Sequence, residues 1–384
     1  MTLKTSARGA ISPFIVMDVL RAANERQAAG AEVLHLEIGQ PGTPAPERVR
    51  QAAKAALDQE LIGYTDALGI APLRQGLAEL YRRRYGVALD PVRVVVTTGS
   101  SAGFLLGFLA AFDPGDRVAL AAPGYPAYRN ILSALDLEPV LLECDLAHRY
   151  QPTPELIDGA GPLEGLILAS PSNPTGTMVG RRELSDIVAC CAERGIRLVS
   201  DEIYHGITFG DPAVSALELS DDAIVINSFS KYYSMTGWRL GWMVLPEDLV
   251  RPVECLGQNL FISAPTLSQI AGVAALDCED ELDGLVANYA RNREHLLESL
   301  PAAGLDRLAP ADGAFYLYAD VGRFTNDSVA FCRQVLAETG VALTPGMDFD
   351  PARGHRTLRV SFAGAPETIV AATERLGDWL KDRR

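Results

Sequence analysis

Six short apolar runs recur through the middle of the chain: VRVVVTT, RVALAA, GLILAS, IRLVS, AIVINS and LGWMVL. Stretches of helical spacing separate them from about residue 45 to 285. Strands that alternate with helices in this way build a mostly parallel sheet wrapped by helices. The first five runs each end in an unusual tail, in order GSSAG, PGYPAY, PSNPTG, DEIY and SFSK. Open α/β sheets bind ligands beyond the carboxyl ends of their strands, so the five tails are expected to converge on one crevice. Near residue 285 the cadence changes to helix, the strand GAFYLYADV, the helix SVAFCRQVLAETG, the strands VALTPG and TLRVSFA, and a last helix ending near Leu380. That is the pattern of a smaller α+β domain. A helix near 15–29 and the strand VLHLEIG are too brief to stand alone and should pack against it. The expected division is a large domain over 46–284 and a small domain made of 1–45 with 285–384.

Composition narrows the partners more than the fold. A chain of 384 residues exceeds one ordinary core, which agrees with two domains around a shared cleft. The net charge of −15 repels nucleic acid and anionic lipid, and no Lys/Arg block offsets it, so the expected partner is a small molecule. The first thirty residues lack the apolar core and cleavage site of a signal peptide. The longest strongly apolar stretch, around Phe104 to Phe112, is too short for a bilayer, and the cytoplasm is the expected compartment. Cys144, Cys190, Cys191, Cys255, Cys278 and Cys332 have no CxxC spacing, and Cys190-Cys191 read as two faces of one helix. His35, His148, His205, His295 and His355 form no HxxxH or HExxH, so no metal site is expected. Asn326-Asp327-Ser328 reads as a surface turn.

The segment VVVTTGSSAGFLLGFL, residues 94–109, admits two chemistries. It fits the G-x-S-x-G elbow of an α/β-hydrolase, with Ser101 as nucleophile. It fits equally a phosphate cradle, in which small residues bring backbone N–H groups close to an anion at a helix N-terminus. A hydrolase needs an acid and then a histidine on later strand-end loops, and His205 or His355 could be recruited on paper. That account leaves Lys231, the SNPTG loop and the GWR turn unused, so the cradle is the better reading.

The tail SDEIYHGITF puts Asp201 at the end of a buried strand, where an unpaired carboxylate is costly. A helix cap or an ion pair would account for it. So would a cationic ligand, and Tyr204 is placed to offer a phenol to the same site. NSFSKYYSMTGWRLGW carries more: Lys231 follows a Ser-Phe-Ser turn and precedes the Gly237-Trp238-Arg239 turn. A lysine can form a Schiff base with an aldehyde, and burial lowers its pKa toward the neutral amine this needs. Ser228, Ser230 and Arg239 can donate to an oxyanion, the guanidinium as a fork. A solitary loop lysine is ordinarily just solvated, but here phosphate donors surround it. One ligand uses every tail: a phosphate-bearing aldehyde with a ring nitrogen, which is pyridoxal 5′-phosphate. Gly99, Ser100, Ser101 and Arg239 would take its phosphate, Lys231 its aldehyde, and Asp201 would keep the pyridine nitrogen protonated. Tyr125 can stack on the ring, and Asn173 with Tyr204 can hydrogen-bond the ring hydroxyl.

With IGQP, YTDALGIAPLR, SNPTG, SDEIY, SFSKYYSMTGWRLGW, GAFYLY and LRVSFA, the chain resembles over nearly its full length the class I/II aminotransferases of the fold-type I pyridoxal-phosphate enzymes. It is similar to their bacterial aspartate aminotransferase-like branch. The resemblance implies Lys231 as the Schiff-base lysine, Asp201 as the pyridine-nitrogen partner, Asn173 and Tyr204 as ring-hydroxyl partners and Tyr125 as the stacking residue. It further implies that Arg359 clamps the substrate α-carboxylate, assisted by the Gly39 backbone and Asn173. Tyr64 would reach the phosphate bound by the partner subunit of a homodimer. The implied reaction is a ping-pong transfer of an amino group between an L-amino acid and a 2-oxo acid through a Lys231 aldimine. Two alternatives share the cofactor: a β-lyase acting on cystathionine or cysteine conjugates, and a non-enzymatic regulatory module, which the lack of a basic helix-turn-helix segment disfavours. The aspartate-using bacterial relatives carry a lysine just after the phosphate-loop glycine, where this chain has Ser101. Phe14 and Ile38 add apolar surface, so neutral donors are expected over aspartate unless Arg21, Arg129 or Arg356 swings in.

Overall fold

Every apolar run of the middle region forms a strand, and so does one stretch without the apolar signature. The computed structural model describes residues 3–383. Its strands are β1 (Leu34–His35), β2 (Val94–Thr97), β3 (Arg117–Ala122), β4 (Glu138–Glu143), β5 (Gly165–Ala169), β6 (Arg197–Asp201), β7 (Ile224–Ser228), β8 (Gly241–Val244), β9 (Tyr316–Asp320), β10 (Val341–Ala342), β11 (Thr344–Pro345) and β12 (Thr357–Ser361). Its helices are α1 (Ile15–Ala28), α2 (Glu47–Gln59), α3 (Ala71–Tyr85), α4 (Gly99–Ala111), α5 (Pro126–Ala134), α6 (Pro154–Gly159), α7 (Arg181–Arg194), α8 (Glu247–Leu260), α9 (Thr266–Ala275), α10 (Glu279–Ala302), α11 (Ser328–Thr339) and α12 (Pro366–Lys381).

The large sheet has the order β2-β8-β7-β6-β5-β3-β4. Strands β3 to β7 pair in parallel, and β8 is antiparallel to both its neighbours. The strand that hydropathy does not announce is β4, EPVLLE, in which only Leu142 is buried. It is an edge strand, where one side meets water and Pro139 is tolerated. The inner strands send alternate residues to two separate cores. Val95, Val118, Ile167, Val199, Ile226 and Met243 face α4 and α5, while Val96, Ala119, Leu166, Leu198, Val225 and Trp242 belong to the other layer. Burial on both faces is why these strands read as continuous apolar runs.

The smaller region holds the antiparallel sheet β11-β12-β9 and the parallel pair β1-β10. Two expected strands change here. VALTPG divides into β10, which pairs with β1, and β11, which pairs with β12. VLHLEIG keeps ladder pairing only at Leu34 and His35, although the Leu36 carbonyl still accepts from the Ser361 N–H. Beyond it the Glu37 carbonyl is taken by the side chains of Arg359 and Thr344 and not by a ladder partner. Helix α10 runs across residue 284, the expected boundary, and Asn292 within it donates to the carbonyls of Phe362 and Gly364. Cys191 is buried and Cys190 half-exposed on α7, and Asp327 caps α11 by accepting from the Ala330 N–H. Among the described residues no helix is long and apolar enough to cross a membrane.

Close approach of backbones sets the site end of the large sheet. Gly241 on β8 lies so near the start of α4 that a Cβ there would fall 2.8 Å from both Gly99 C and Ser100 N. Gly241→Ala should therefore destabilise the fold by about 1–3 kcal/mol, as overpacking does. Urea unfolding measures this, and a loss under about 0.5 kcal/mol would mean that α4 can simply shift.

Candidate active site

The tails converge. The carboxyl ends of β5, β6 and β7, the first turn of α4 and the strand β12 open on a cavity of about 310 Å³. Phe14, Ile38, Gly39, Ser100, Ser101, Tyr125, Asn173, Asp201, Tyr204, Ser230, Lys231, Arg239 and Arg359 all line it. Ser228 and Gly99 do not, and Tyr64 is expected at the partner's cavity instead. Ser228 lies behind the wall, with its Oγ 2.9 Å from Ser230 Oγ and 3.1 Å from the Leu240 carbonyl. Gly99 sits beneath Arg239, and Tyr64 is 84% exposed on a separate loop. A larger open cleft of about 1230 Å³ exists elsewhere, but none of the expected residues lines it, and its Arg149 and Arg181 are paired with Asp312 and Glu218.

Helix α4 begins at Gly99, whose φ of +73° is left-handed, and no side chain caps its first turn. Free N–H groups and the helix dipole make such an end attractive to an anion. A Cβ at Gly99 would collide with the Arg239 guanidinium, so glycine lets that cation lie directly over the helix end. Arg239 itself takes a left-handed φ of +52°, and its Nη1 donates to the Thr236 carbonyl at 3.0 Å.

Lys231 reaches from the turn after β7 to donate its Nζ proton to the Gly39 carbonyl at 2.6 Å. Burial pushes its pKa down to about 8, the Arg359 charge adds to this, and Asp201 opposes it. Asp201 ends β6, and burial pushes its carboxyl up to about 6. Where the sequence predicts a facing cation, the contact is a phenol: Tyr128 donates to Asp201 Oδ2 while the Ile203 N–H donates to Oδ1 at 3.1 Å. Tyr204 pairs with Tyr316 at 2.7 Å between hydroxyls, and burial holds its phenol well above the usual range. The Tyr125 ring stands edge-on to Phe14 at 5.7 Å and to Tyr128 at 5.3 Å.

Arg359 is 2% exposed and forms no ion pair among the described residues, although its charge acts on Asp348 through space. Its Nη1 donates to Asn173 Oδ1 at 2.9 Å and its Nη2 to the Glu37 carbonyl and, at 3.3 Å, to Thr344 Oγ1. Its Nε has no partner, and its guanidinium is held between the rings of Tyr316 at 4.4 Å and Phe349 at 4.9 Å. Strand alternation aims it into the cavity while Leu358 and Val360 enter the core.

The three arginines considered as hidden cations lie elsewhere. Arg21 pairs with Asp18, Arg356 with Asp320, and Arg129 donates to the Asp348 carbonyl, and none lines the cavity. His205 is enclosed between Tyr85 and the Ser170 carbonyl, and burial holds its pKa down at about 3. Neither it nor His355 lines the cavity, so Ser101 has no histidine base there. Sequence reasoning overlooked Tyr128 and Tyr316. Tyr128 follows Tyr125 by one helical turn, a spacing that could have flagged it.

Comparisons with known proteins give the family. The family model for aminotransferase class I and II matches residues 31–376. A valine–pyruvate aminotransferase of Mycobacterium tuberculosis is 53% identical over 385 residues, covering 99% of each chain. A crystal structure of an aminotransferase from the same organism superposes with a TM-score of 0.97 at 52% identity, over 99% of this chain and 100% of that one. Aspartate aminotransferase from Thermus thermophilus with maleate superposes with a TM-score of 0.92 at 31% identity, over 98% of this chain and 100% of that one. With a family match over most of its length and a cavity that gathers the strand-end tails, the chain belongs to the class I and II aminotransferases.

Proposed function

We propose that this aminotransferase uses pyridoxal 5′-phosphate and takes its amino group from a neutral, apolar L-amino acid, with valine as donor and pyruvate as acceptor the first pair to test. The observation that carries the reading is the donor set of one cavity: an amine, a buried carboxylate, an uncapped helix end under an arginine, and a second, buried arginine that forms no ion pair among the described residues. Those groups fit an aldehyde, a ring nitrogen, a phosphate and a substrate carboxylate. When bound, the cofactor supplies a carbonyl carbon for the amino group and a ring that accepts the electron pair left at the substrate Cα.

In this reading the first turn of α4, Ser100, Ser101, Ser230 and Arg239 hold the phosphate. Asp201 holds a proton at the ring nitrogen, Asn173 and Tyr204 take the ring hydroxyl, and Tyr125 covers the ring face. Arg359 orients the substrate by its α-carboxylate, with Asn173 and the Gly39 backbone assisting. Its stacked rings and backbone bonds keep it rigid, as transition-state alignment requires. The Lys231 amine, with its pKa lowered toward neutrality, takes the proton from the substrate Cα and returns it on the other side of the transfer. Reductive labelling of the holoenzyme with borohydride should attach the cofactor to Lys231 alone, read by peptide mass. Lys231→Ala should still bind it yet lose about 10²–10⁴-fold in kcat.

The donor class follows from the walls. Phe14, Val16, Met17, Ile38, Phe104 and Ile131 line the cavity, and its only cations among the described residues are Lys231, Arg239 and Arg359. All three have other duties, so a distal carboxylate would be buried without a partner, at a cost of about 1–3 kcal/mol or more. The name of the valine–pyruvate relative supports the same class. With pyruvate fixed, kcat/KM for valine should exceed that for aspartate by at least about tenfold, or 1.4 kcal/mol. The reverse order would sink the apolar-donor reading.

We further infer a homodimer with shared sites, in the cytoplasm. Tyr64 is exposed together with Leu61 and Ile62 on its own loop and with Leu260 and Phe261 at the end of α8, and the two segments are joined by the Thr65 N–H to Ser263. Apolar exposure of that kind marks a protein interface. The six free cysteines suit a reducing compartment. Subunit exchange between Tyr64→Ala and Lys231→Ala chains should restore up to about a quarter of wild-type activity, since half the dimers then hold one intact site. No recovery in proven hybrids would rule out shared sites.

A further inference from the structure

Tyr128 has no part in the chemistry above, yet it is the only side chain that donates to Asp201 among the described residues. It stands on α5, a different element from the strand that carries Asp201. Its ring is 4% exposed and wedged edge-on between Phe104 at 5.0 Å and Tyr125 at 5.3 Å, so the hydroxyl cannot swing away. We propose that Tyr128 is a positioning residue that keeps the shared proton on the ring nitrogen of the cofactor rather than on Asp201. The inference rests on the reading of this cavity as a pyridoxal 5′-phosphate site.

The reasoning is a matter of proton affinity. When a carboxylate and a pyridine nitrogen share one proton, the proton resides on the stronger base. Burial strengthens Asp201 as a base and pulls the proton toward it, whereas a donor hydrogen bond stabilises the carboxylate and weakens that pull. The other groups around Asp201 do less. Lys231 acts on it only through space, and the Tyr204 hydroxyl pairs with Tyr316 rather than with Asp201. Glu202, the next residue, is satisfied by Ser200, Ser215 and the Ala216 N–H, and burial pushes its carboxyl up to about 8, so near neutral pH it stays protonated and donates nothing to Asp201. Tyr128 remains a donor at working pH because burial holds its phenol well above the usual range. The same ring braces Tyr125, so one residue supports both the edge and the face of the bound ring.

The test uses the holoenzyme loaded with cofactor labelled with nitrogen-15 in the ring. In the wild type the nitrogen shift should report a protonated ring from about pH 6 to about pH 9. In Tyr128→Phe, which keeps the ring and its packing, it should titrate with a midpoint inside that range. A second reading is the ratio of dissociation constants for pyridoxal 5′-phosphate and its 1-deaza analogue, which has no ring nitrogen to protonate. The wild-type preference for the natural cofactor should fall by about tenfold or more in Tyr128→Phe. An unchanged shift, or equal weakening of both ligands, would show a packing role only and overturn the proposal. Failure of the wild-type chain to bind the cofactor would instead overturn the reading of the cavity.

Discussion

A buried guanidinium that forms no ion pair among the described residues ties this molecule together. Arg359 leaves the small sheet, takes the carbonyl of Glu37 in the N-terminal segment, and reaches Asn173 in the loop after β5. Three distant stretches of chain thus meet at one charge. Removing that charge from water is expensive, and neutral carbonyl and amide oxygens offset the cost only in part. In the function proposed above, a substrate carboxylate would complete the set, and the energy withheld in folding would serve to orient it. The faces of Tyr316 and Phe349 fix the plane of the fork while supplying further attraction.

The opposite wall follows a different logic, that of close backbone approach. Gly241 allows β8 to lie against the start of α4, and Gly99 allows Arg239 to lie over it. The helix end is left uncapped by any side chain among the described residues, and its first-turn residues Ser100 and Ser101 line the cavity. Cations and dipoles gathered there would repel the Lys231 ammonium. Its lowered pKa reflects mainly desolvation, then the nearby arginines, with Asp201 pulling the other way. Lysine and aspartate are thus moved toward neutrality from opposite sides by the same dry surroundings.

Much of this is legible in the chain alone, for an identifiable reason. Asp201, Lys231 and the GSSAG turn lie at the ends of strands, and parallel strands deliver their carboxyl ends to one side of a sheet whatever their order. Position along the sequence then stands in for position in space. The strand β4 escapes that reading because an edge strand needs little apolar surface. Ser228 escapes it in the other sense, since it ends β7 behind Ser230 although only one residue separates them.

The sequence by itself determined the α/β alternation, the two-sided burial of the inner strands and the residues at their ends, because periodicity and local turn chemistry are properties of neighbours along the chain. Only the tertiary structure decided what those residues touch. The phenol of Tyr128 on Asp201, the pairing of Tyr204 with Tyr316, the division of VALTPG between two sheets, and the absence of Arg21, Arg129 and Arg356 from the cavity wall all depend on elements far apart in sequence. Such contacts are chosen by the packing of whole elements, since a side chain can donate only to what the core has carried within about 3 Å of it.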